Sequence, residues 1–299
     1  MKKGDHTKVS VVFLLCLLIA TLGCFCAEGC IPTEKYERIV FLSAPLSPGG
    51  SFEAQTHNGS ITIAGVDVTE CSLTATIIAR ADTEEHAQKL AEAVEVKLEP
   101  FGSKLIAKIE KPAMVPGKYV SVSLDITVPN RIDADLTTHN GALKIENLTG
   151  RLDGTTHNGQ VTAEKLSGTV ELRTHNGRIV CEQVSGDTYL HTHNGSITCE
   201  EVSGDIRLKT HNGSARAAYS QGAPPVCNVS IITHNGGVNF TAPPNFSAKV
   251  EASTHNGSID TDLPITVIGE VTKRKLTGTI GTGEGNLHLE THNGSIKIR

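Results

Sequence analysis

The sequence predicts an all-β protein, folded as a single elongated β-solenoid (β-helix) with 18-residue coils. Three observations predict this fold class. The tetrapeptide Thr-His-Asn-Gly occurs nine times, and five consecutive copies start 18 residues apart, at positions 138, 156, 174, 192 and 210. Within each unit apolar residues alternate with polar ones, as in half-buried strands. Aromatic residues make up only 4% of the 299 residues and Trp is absent, which suits a thin core.

Each 18-residue unit contains two short alternating segments. In the unit that starts at Thr174, the inward positions of the first segment are Ile179, Cys181 and Val184, and the second segment ends in Leu190. A glycine at the thirteenth position separates the two segments. The second corner is His-Asn-Gly, in which Asn and Gly tolerate the positive φ of a tight turn. We therefore expect two strands and two corners in every repeat.

Two topologies are compatible with this pattern. In an antiparallel β-meander, Asn-Gly would close a series of hairpins. In a β-solenoid, each unit is one coil, and equivalent residues stack at the inter-strand spacing. The solenoid better explains why residues are identical within a column, since stacked Asn side chains can hydrogen-bond to one another. A meander would need a covering layer that the sequence does not supply, so we favour the solenoid and keep the meander as the alternative.

The first 35 residues have the pattern of an export signal and a tether. Three lysines precede the apolar stretch Val9–Leu22, which is too short for a typical membrane-spanning helix. Residues 1–23 are therefore predicted to be an export signal peptide and 24–35 a flexible tether. The four residues ending at Cys24 partly match the lipid-modification box of bacterial lipoproteins, so we expect a lipid anchor at Cys24. The alternative is cleavage near Ala27 and a secreted product.

Residues 36–137 are predicted to form an N-terminal β-rich part that contains one helix. The helix is expected at about 82–95, because Asp82 and Glu85 have the spacing of a capping box. Its apolar face would comprise Ala87, Leu90, Ala91 and Val94. The surrounding strands are expected at Ser72–Ala79, Val94–Leu98, Leu105–Ile109 and Tyr119–Val128. We expect the helix to cap the open end of the solenoid, which residues 138–299 continue as the same domain.

Composition and motifs argue against two classes of function. The formal net charge is −5 and no basic run is present, so no nucleic-acid partner is predicted. The sequence contains no Gly-x-Ser-x-Gly elbow, zincin motif or phosphate-binding loop. We therefore predict no catalytic residue, no cofactor and no enzymatic activity.

The repeated histidines are the candidate metal ligands. Their parity is opposite to that of the inward positions, so the column is predicted to face solvent while the neighbouring Thr column faces inward. The column of the regular array comprises His139, His157, His175, His193 and His211. Imidazole is a common metal ligand, but a flat row supplies donors from one side only. We therefore expect a solvated stack and assign no metal site, with metal binding by this ladder as the alternative.

Two further columns have simple interpretations. Glu146, Glu164, Glu182 and Glu200 form an outward carboxylate column. Calcium, interspersed cations or solvent screening could relieve their repulsion, and the absence of a calcium-binding nonapeptide favours screening. Cys181 and Cys199 occupy adjacent inward positions, where we expect them to act as small buried apolar residues.

The repeated Thr-x-Asn-Gly-x-Ile units, the intervening Ser-Gly-Asp units, the segment Gly50–Ala54 and Val128-Pro129 together resemble a known family. They are similar to the adhesin-like β-strand-repeat domains of bacterial envelope proteins, a family of domains of unknown function. The similarity covers most of residues 36–299. It implies a β-helical, extracytoplasmic and non-enzymatic module.

From these features we expect an exported, lipid-anchored, adhesin-like β-solenoid that acts as a structural or interaction surface at the cell envelope. Its partner would be an envelope, surface or glycan molecule that the sequence does not identify. The alternative is a carbohydrate- or metal-binding envelope protein that uses the outward His and Glu ladders.

Overall fold

A computed structural model describes residues 34–112, 118–267 and 272–299. The predicted export signal, Cys24 and nearly all of the predicted tether lie outside these ranges. No helix in the described part of the chain is long and apolar enough to cross a membrane.

The described residues form 22 strands and one helix. Those of the first half are β1 (Glu34–Pro45), β2 (Ser51–Asn58), β3 (Ile61–Val66), β4 (Glu70–Ala81), α1 (Glu84–Glu92), β5 (Glu95–Phe101), β6 (Lys104–Glu110), β7 (Tyr119–Pro129), β8 (Asp133–Asn140), β9 (Leu143–Thr156) and β10 (Val161–Asn176). Those of the second half are β11 (Ile179–Asn194), β12 (Ile197–Val202), β13 (Ile206–Asn212), β14 (Ala215–Tyr219), β15 (Asn228–Asn235), β16 (Val238–Thr241), β17 (Ala248–Asn256), β18 (Ile259–Thr261), β19 (Thr266–Val267), β20 (Lys275–Ile280), β21 (Gly285–Asn293) and β22 (Ile296–Ile298). The prediction of an all-β protein is confirmed.

The strands stack into two facing walls joined by corners. We call the wall that carries the repeated threonines the Thr wall; its stacking order is β5, β6, β2, β8, the C-terminal halves of β9 to β11, β13, β15, β21, β17, β20 and β19. The other, which carries the glutamate column, is the Glu wall; its order is β1, β4, β7, β3, the N-terminal halves of β9 to β11, β12, β14, β16, β22 and β18. Each long strand β9 to β11 therefore contributes to both walls.

Strands of the regular array pair in parallel and in register. Val161 pairs with Ile179, and Thr174 pairs with Thr192, each 18 residues further along the chain. This pairing rules out the antiparallel meander for the array. Antiparallel pairs occur only toward the two ends of the described stack, such as β4 with β7 and β17 with β20.

The space between the walls is filled by one cluster of buried apolar residues that extends from Leu42 to Ile298. Alternate residues of most strands point into it, and in both halves of β10, on either side of its corner, burial follows the period of two that the sequence predicts. Most inward residues are Val, Ile, Leu or Ala, and the two largest fully buried side chains are Phe52 and Phe240. Burying each Val, Leu or Ile stabilises the fold by about 1.5 to 3 kcal/mol.

The helix is shorter than predicted and its cap is a different residue. It spans Glu84–Glu92, and its N-cap is Thr83, whose side chain accepts a hydrogen bond from the backbone N–H of His86. The expected cap, Asp82, instead contacts His86 Nδ1 at 2.7 Å. The helix packs against β1 and β4 with Ala87 and Ala91 buried.

The C-terminal repeats do not stack in chain order. Thr291 pairs with Thr233 on one side and with Thr254 on the other, so the unit that starts at Thr291 lies between the units that start at Thr233 and Thr254. Strands β21 and β22 are therefore inserted between earlier parts of the chain, and β18, β19 and β20 lie at the end of the stack.

Candidate functional site

One corner of the stack is lined by the nine histidines of the repeated tetrapeptide, and we call it the His edge. In stacking order these are His57, His139, His157, His175, His193, His211, His234, His292 and His255. Neighbouring ring centroids are 4.6–4.9 Å apart and the ring planes differ by at most 17°. The rings face solvent, as their parity predicts, and His193 alone among them is half-buried.

The Thr column holds successive coils together from the inside. Thr192 is fully buried, and its Oγ1 donates a hydrogen bond of 2.9 Å to the backbone carbonyl of Gly177 in the preceding coil. The same bond recurs at Thr138, Thr156, Thr174, Thr210, Thr233, Thr254 and Thr291, at 2.8–2.9 Å. The inward orientation predicted for this column is confirmed.

The Asn column forms a continuous amide ladder along the His edge. Eight of these Asn side chains donate from Nδ2 to the Oδ1 of the preceding Asn in the stack, as Asn158 does to Asn140 at 2.8 Å. The other bonds of this ladder join Asn140 to Asn58, Asn176 to Asn158, Asn194 to Asn176, Asn212 to Asn194, Asn235 to Asn212, Asn293 to Asn235 and Asn256 to Asn293. Such ladders fix the register of stacked strands.

The glycine of the tetrapeptide permits the close approach of these coils. A Cβ atom added at Gly177 would overlap the carbonyl oxygen of Gly159, and one at Gly195 would overlap that of Gly177. Any other residue would push the coils apart. The stacking of the strands therefore explains why Thr, Asn and Gly are repeated. The exposed His side chain contacts the neighbouring His rings and makes no other contact that the stack requires.

Two adjoining grooves run along the His edge, with volumes of about 850 and 660 Å³, and His191 and His193 line both. One side of each groove is formed by the residues in the eighteenth position of the repeat. Each of them points outward and directly precedes a Thr of the Thr column. The charged groups that line the grooves are Lys108, Lys111, Arg173, Lys209, Glu53 and Glu290.

The middle of the His edge is rich in cations. Arg173, His191 and Lys209 occupy neighbouring positions of adjacent strands. Burial, followed by the charges of Lys209 and Arg173, lowers the pKa of His191. The Nδ1 atom of His191 is buried and has no hydrogen-bond partner in the described part of the chain. Arg173 and Lys209 were not among the predicted site residues, although parity places both beside the His column.

Arg173 and Lys209 differ in their partners. The guanidinium of Arg173 contacts Glu171, lies 3.7 Å from Asp153, and lies 5.7 Å above the ring of Tyr189. Lys209 is exposed and forms no ion pair with a described carboxylate. Its ammonium group is therefore available to a ligand at this position.

The glutamate column on the Glu wall has interspersed cations. Lys144 pairs with Glu146 at 2.6 Å, and Lys165 pairs with Glu164 at the same distance. Arg216 lies 3.4 Å from Glu200. Solvent screening is therefore not the only relief of carboxylate repulsion, because cations partner three of the four column members.

The inward cysteines are buried free thiols, as expected. A hydrogen bond to Cys199, together with burial, raises the pKa of Cys181. The thiol is therefore held in its protonated, unreactive form.

The structure brings together the five histidines proposed as an alternative metal ladder and adds four more. Parallel rings direct their nitrogen lone pairs in parallel, so two neighbours converge on one metal ion only if their rings rotate. Among the described residues no group of three or more His, Cys, Asp or Glu is arranged to hold a metal.

Comparisons with known proteins identify a family and several solved structures. A family model described as Toastrack DUF4097 matches residues 93–299. No curated protein matches the chain. Among solved structures, a candidate adhesin from Parabacteroides distasonis is 10% identical with a TM-score of 0.43, and covers 87% of this chain and 97% of its own.

Two other similar structures have lower scores. A candidate cell adhesion protein from Clostridium sporogenes is 12% identical with a TM-score of 0.29, covering 89% of this chain and 99% of its own. A candidate adhesin from Bacteroides fragilis is 12% identical with a TM-score of 0.36, covering 87% and 97%. These scores are below 0.5, so the similarities assign neither a ligand nor an activity to the chain.

Proposed function

The chain belongs to the Toastrack DUF4097 family, in agreement with the resemblance to adhesin-like repeat domains, and from this premise we propose that it is a non-enzymatic interaction module of the cell envelope. In this proposal the 18-residue coils form a β-solenoid, α1 caps its N-terminal end, and the His edge is the interaction surface.

The observation that carries this proposal is the repetition of one exposed group along the His edge. The same imidazole is presented nine times at intervals of 4.6–4.9 Å, beside grooves that run in the same direction. An extended partner with its own repeat can contact such a surface at many equivalent points, and weak contacts then add up. A reaction centre, in contrast, needs a few different groups that converge on one point.

The predicted export signal and the Cys24 box support an extracytoplasmic location with a lipid anchor. The anchor is tested by metabolic labelling with palmitate followed by cell fractionation. Label in the membrane fraction of the wild-type chain, and its loss in Cys24→Ala, is expected. An unlabelled wild-type chain released into the medium would instead show simple cleavage and secretion.

The role of the His edge is tested by binding of the full chain, purified in mild detergent, to an array of neutral and acidic polysaccharides and of envelope proteins. We expect the triple variant His157→Gln, His175→Gln and His193→Gln to bind at least tenfold more weakly to any array component that the wild type binds. The matched control replaces Glu146, Glu164 and Glu182 of the Glu wall by Gln and should bind as the wild type does. Equal loss in both variants, or no binding by the wild type, would contradict the proposal.

A further inference from the structure

We propose that the grooves along the His edge bind a linear acidic polysaccharide that carries one carboxylate per sugar, and that binding strengthens as the pH falls below neutrality. This inference rests on the proposed function, because it assigns a ligand class to the same surface. Arg173, His191, His193 and Lys209 form the centre of the proposed site.

The shape of the surface suits a linear chain. The two grooves adjoin at His191 and His193 and follow the stacking direction of the coils. They are open troughs along an edge, so a chain that continues in both directions fits them. An extended β-linked sugar chain advances, per sugar, by a distance close to the 4.8 Å spacing of the rings. Each sugar of such a chain would therefore meet one coil.

Positive charge without a described acidic partner lies at the centre of the grooves. Arg173, His191 and Lys209 are side by side on β10, β11 and β13. Arg173 contacts Glu171 and lies 3.7 Å from Asp153, whereas Lys209 forms no ion pair with a described carboxylate. Of the acids that line the grooves, Glu53 belongs to β2 and Glu290 to β21, and the groove-lining Lys108 is paired with Glu99 and Glu110. Lys209 is therefore the central group that attracts an anion.

Protonation of imidazole couples anion binding to pH. Histidine is ordinarily neutral at pH 7 and gains charge below about pH 6.5. Protonating several stacked rings places like charges 4.6–4.9 Å apart, which is unfavourable unless anions lie between or beside them. Carboxylates repeating at one per coil would supply these anions. Binding therefore takes up protons, and acid strengthens it.

At His191, neighbouring cations oppose protonation of the imidazole. Lys209 and Arg173 add to burial in lowering its pKa, so it resists protonation in the free protein. Its Nδ1 has no partner among the described residues. A carboxylate between Arg173 and Lys209 would offset both cations and favour the protonated form of His191.

The stacking of the rings argues for sugars and against nucleic acid. Single-stranded nucleic acids bind by stacking bases on exposed aromatic faces. Along the His edge each ring face is covered by the next ring, at 4.8 Å from His157 to His175, so only ring edges reach solvent. Ring edges carry N–H donors, which suit the carboxylates and hydroxyl groups of an acidic sugar chain.

The test is binding of the full chain, in mild detergent, to polymannuronate fragments, measured by calorimetry at pH 5.5 and pH 7.5. We expect affinity at least tenfold higher at pH 5.5. Lys209→Gln should weaken binding at both pH values, whereas the triple His→Gln variant should abolish most of the pH dependence. Lys297→Gln is the matched control, because Lys297 is an exposed cation on the Glu wall.

Further ligands separate this inference from the proposed function. Tight binding of a neutral mannan or an envelope protein through the His edge, without binding of polymannuronate, would overturn the polysaccharide assignment and leave the interaction surface intact. Equal affinity for a single-stranded oligodeoxynucleotide would also overturn it, because the His edge would then recognise negative charge and not the sugar chain. Binding of polymannuronate that is unchanged in the triple His→Gln variant would contradict both.

Discussion

At the scale of single residues, the repeated tetrapeptide separates stacking from surface chemistry. Thr192 donates to the backbone of the preceding coil, Asn194 continues the amide ladder, and Gly195 permits the close approach of the backbones. His193 is left free to contact ligands. The roles of Thr and Gly are tested by substitutions that leave the His edge unchanged.

Gly177→Ala is expected to lower the free energy of unfolding by about 2 to 3 kcal/mol, because the new methyl group would overlap the carbonyl of Gly159 and force the coils apart. Gly222→Ala is the control, since a Cβ atom there has no neighbour within 4 Å. Urea denaturation measures both. Similar stability of the two variants would show that the coils can separate at little cost.

Thr192→Val is expected to destabilise the protein by about 1 to 2 kcal/mol, since it removes the donor to the Gly177 carbonyl. Thr188→Val, in contrast, is not expected to destabilise the protein. The buried Oγ1 of Thr188 has no partner among the described residues, and the paired positions carry Val170 and Ile206. We expect this variant to be as stable as the wild type or more so. Equal destabilisation of both variants in urea would contradict the assigned roles.

His191 predicts a loss of stability in acid. Its folded-state pKa is lowered, so below the ordinary value near 6.5 the unfolded chain binds more protons than the folded chain. The resulting destabilisation is absent above that value, grows as the pH falls toward the folded-state pKa and is constant below it. In His191→Gln, urea denaturation from pH 7.5 to pH 5 should show a smaller decline than the wild type. Parallel declines would remove His191 as a cause.

At the scale of elements, the first corner of each repeat begins three residues before the glycine from which the sequence predicts it. The tenth position of each unit has a left-handed backbone, with φ of 54–55° at Asn147, Lys165, Gln183 and Glu201. Such φ values usually indicate Gly or Asn. Three of these four residues are neither, so only the glycine three positions later predicts a turn.

The helix, too, is only partly predictable from the sequence. Its existence, its position before β5 and its buried Ala87 and Ala91 follow from apolar spacing. The capping residue does not, because Asp82 and Thr83 are both good N-caps and the choice depends on the path of β4. The order of the last repeats is also invisible in the sequence, since identical columns make every neighbour equally compatible.

Thr83→Ala is expected to lower the free energy of unfolding by about 1 kcal/mol, through loss of the cap to the His86 N–H. Asp82→Ala should have a smaller effect, because Asp82 makes only an exposed contact with His86. Thermal unfolding followed by circular dichroism compares the two. A larger effect of Asp82→Ala would show that Asp82 is the N-cap, as the sequence predicts.

At the scale of the whole molecule, the inserted C-terminal strands place the last residues of the chain inside the stack. β22 has β16 on one side and β18 on the other, whereas β18 has only β22 among the described strands. We expect amides of Ile296–Ile298 to exchange with solvent more slowly than those of Ile259–Thr261. Hydrogen exchange with mass spectrometry resolves the two segments, and faster exchange at the C-terminal segment would contradict the inserted arrangement.

This insertion also constrains the order in which the molecule can be assembled. A chain synthesised or exported N-terminus first can add its regular coils one after another, each on the surface of the last. That sequence of events must pause after β15 and β16, because residues 248–261 stack on strands that are made later, Gly285–Asn293 and Ile296–Ile298. Residues 248–261 can therefore complete their pairing only after residues 285–298 become available.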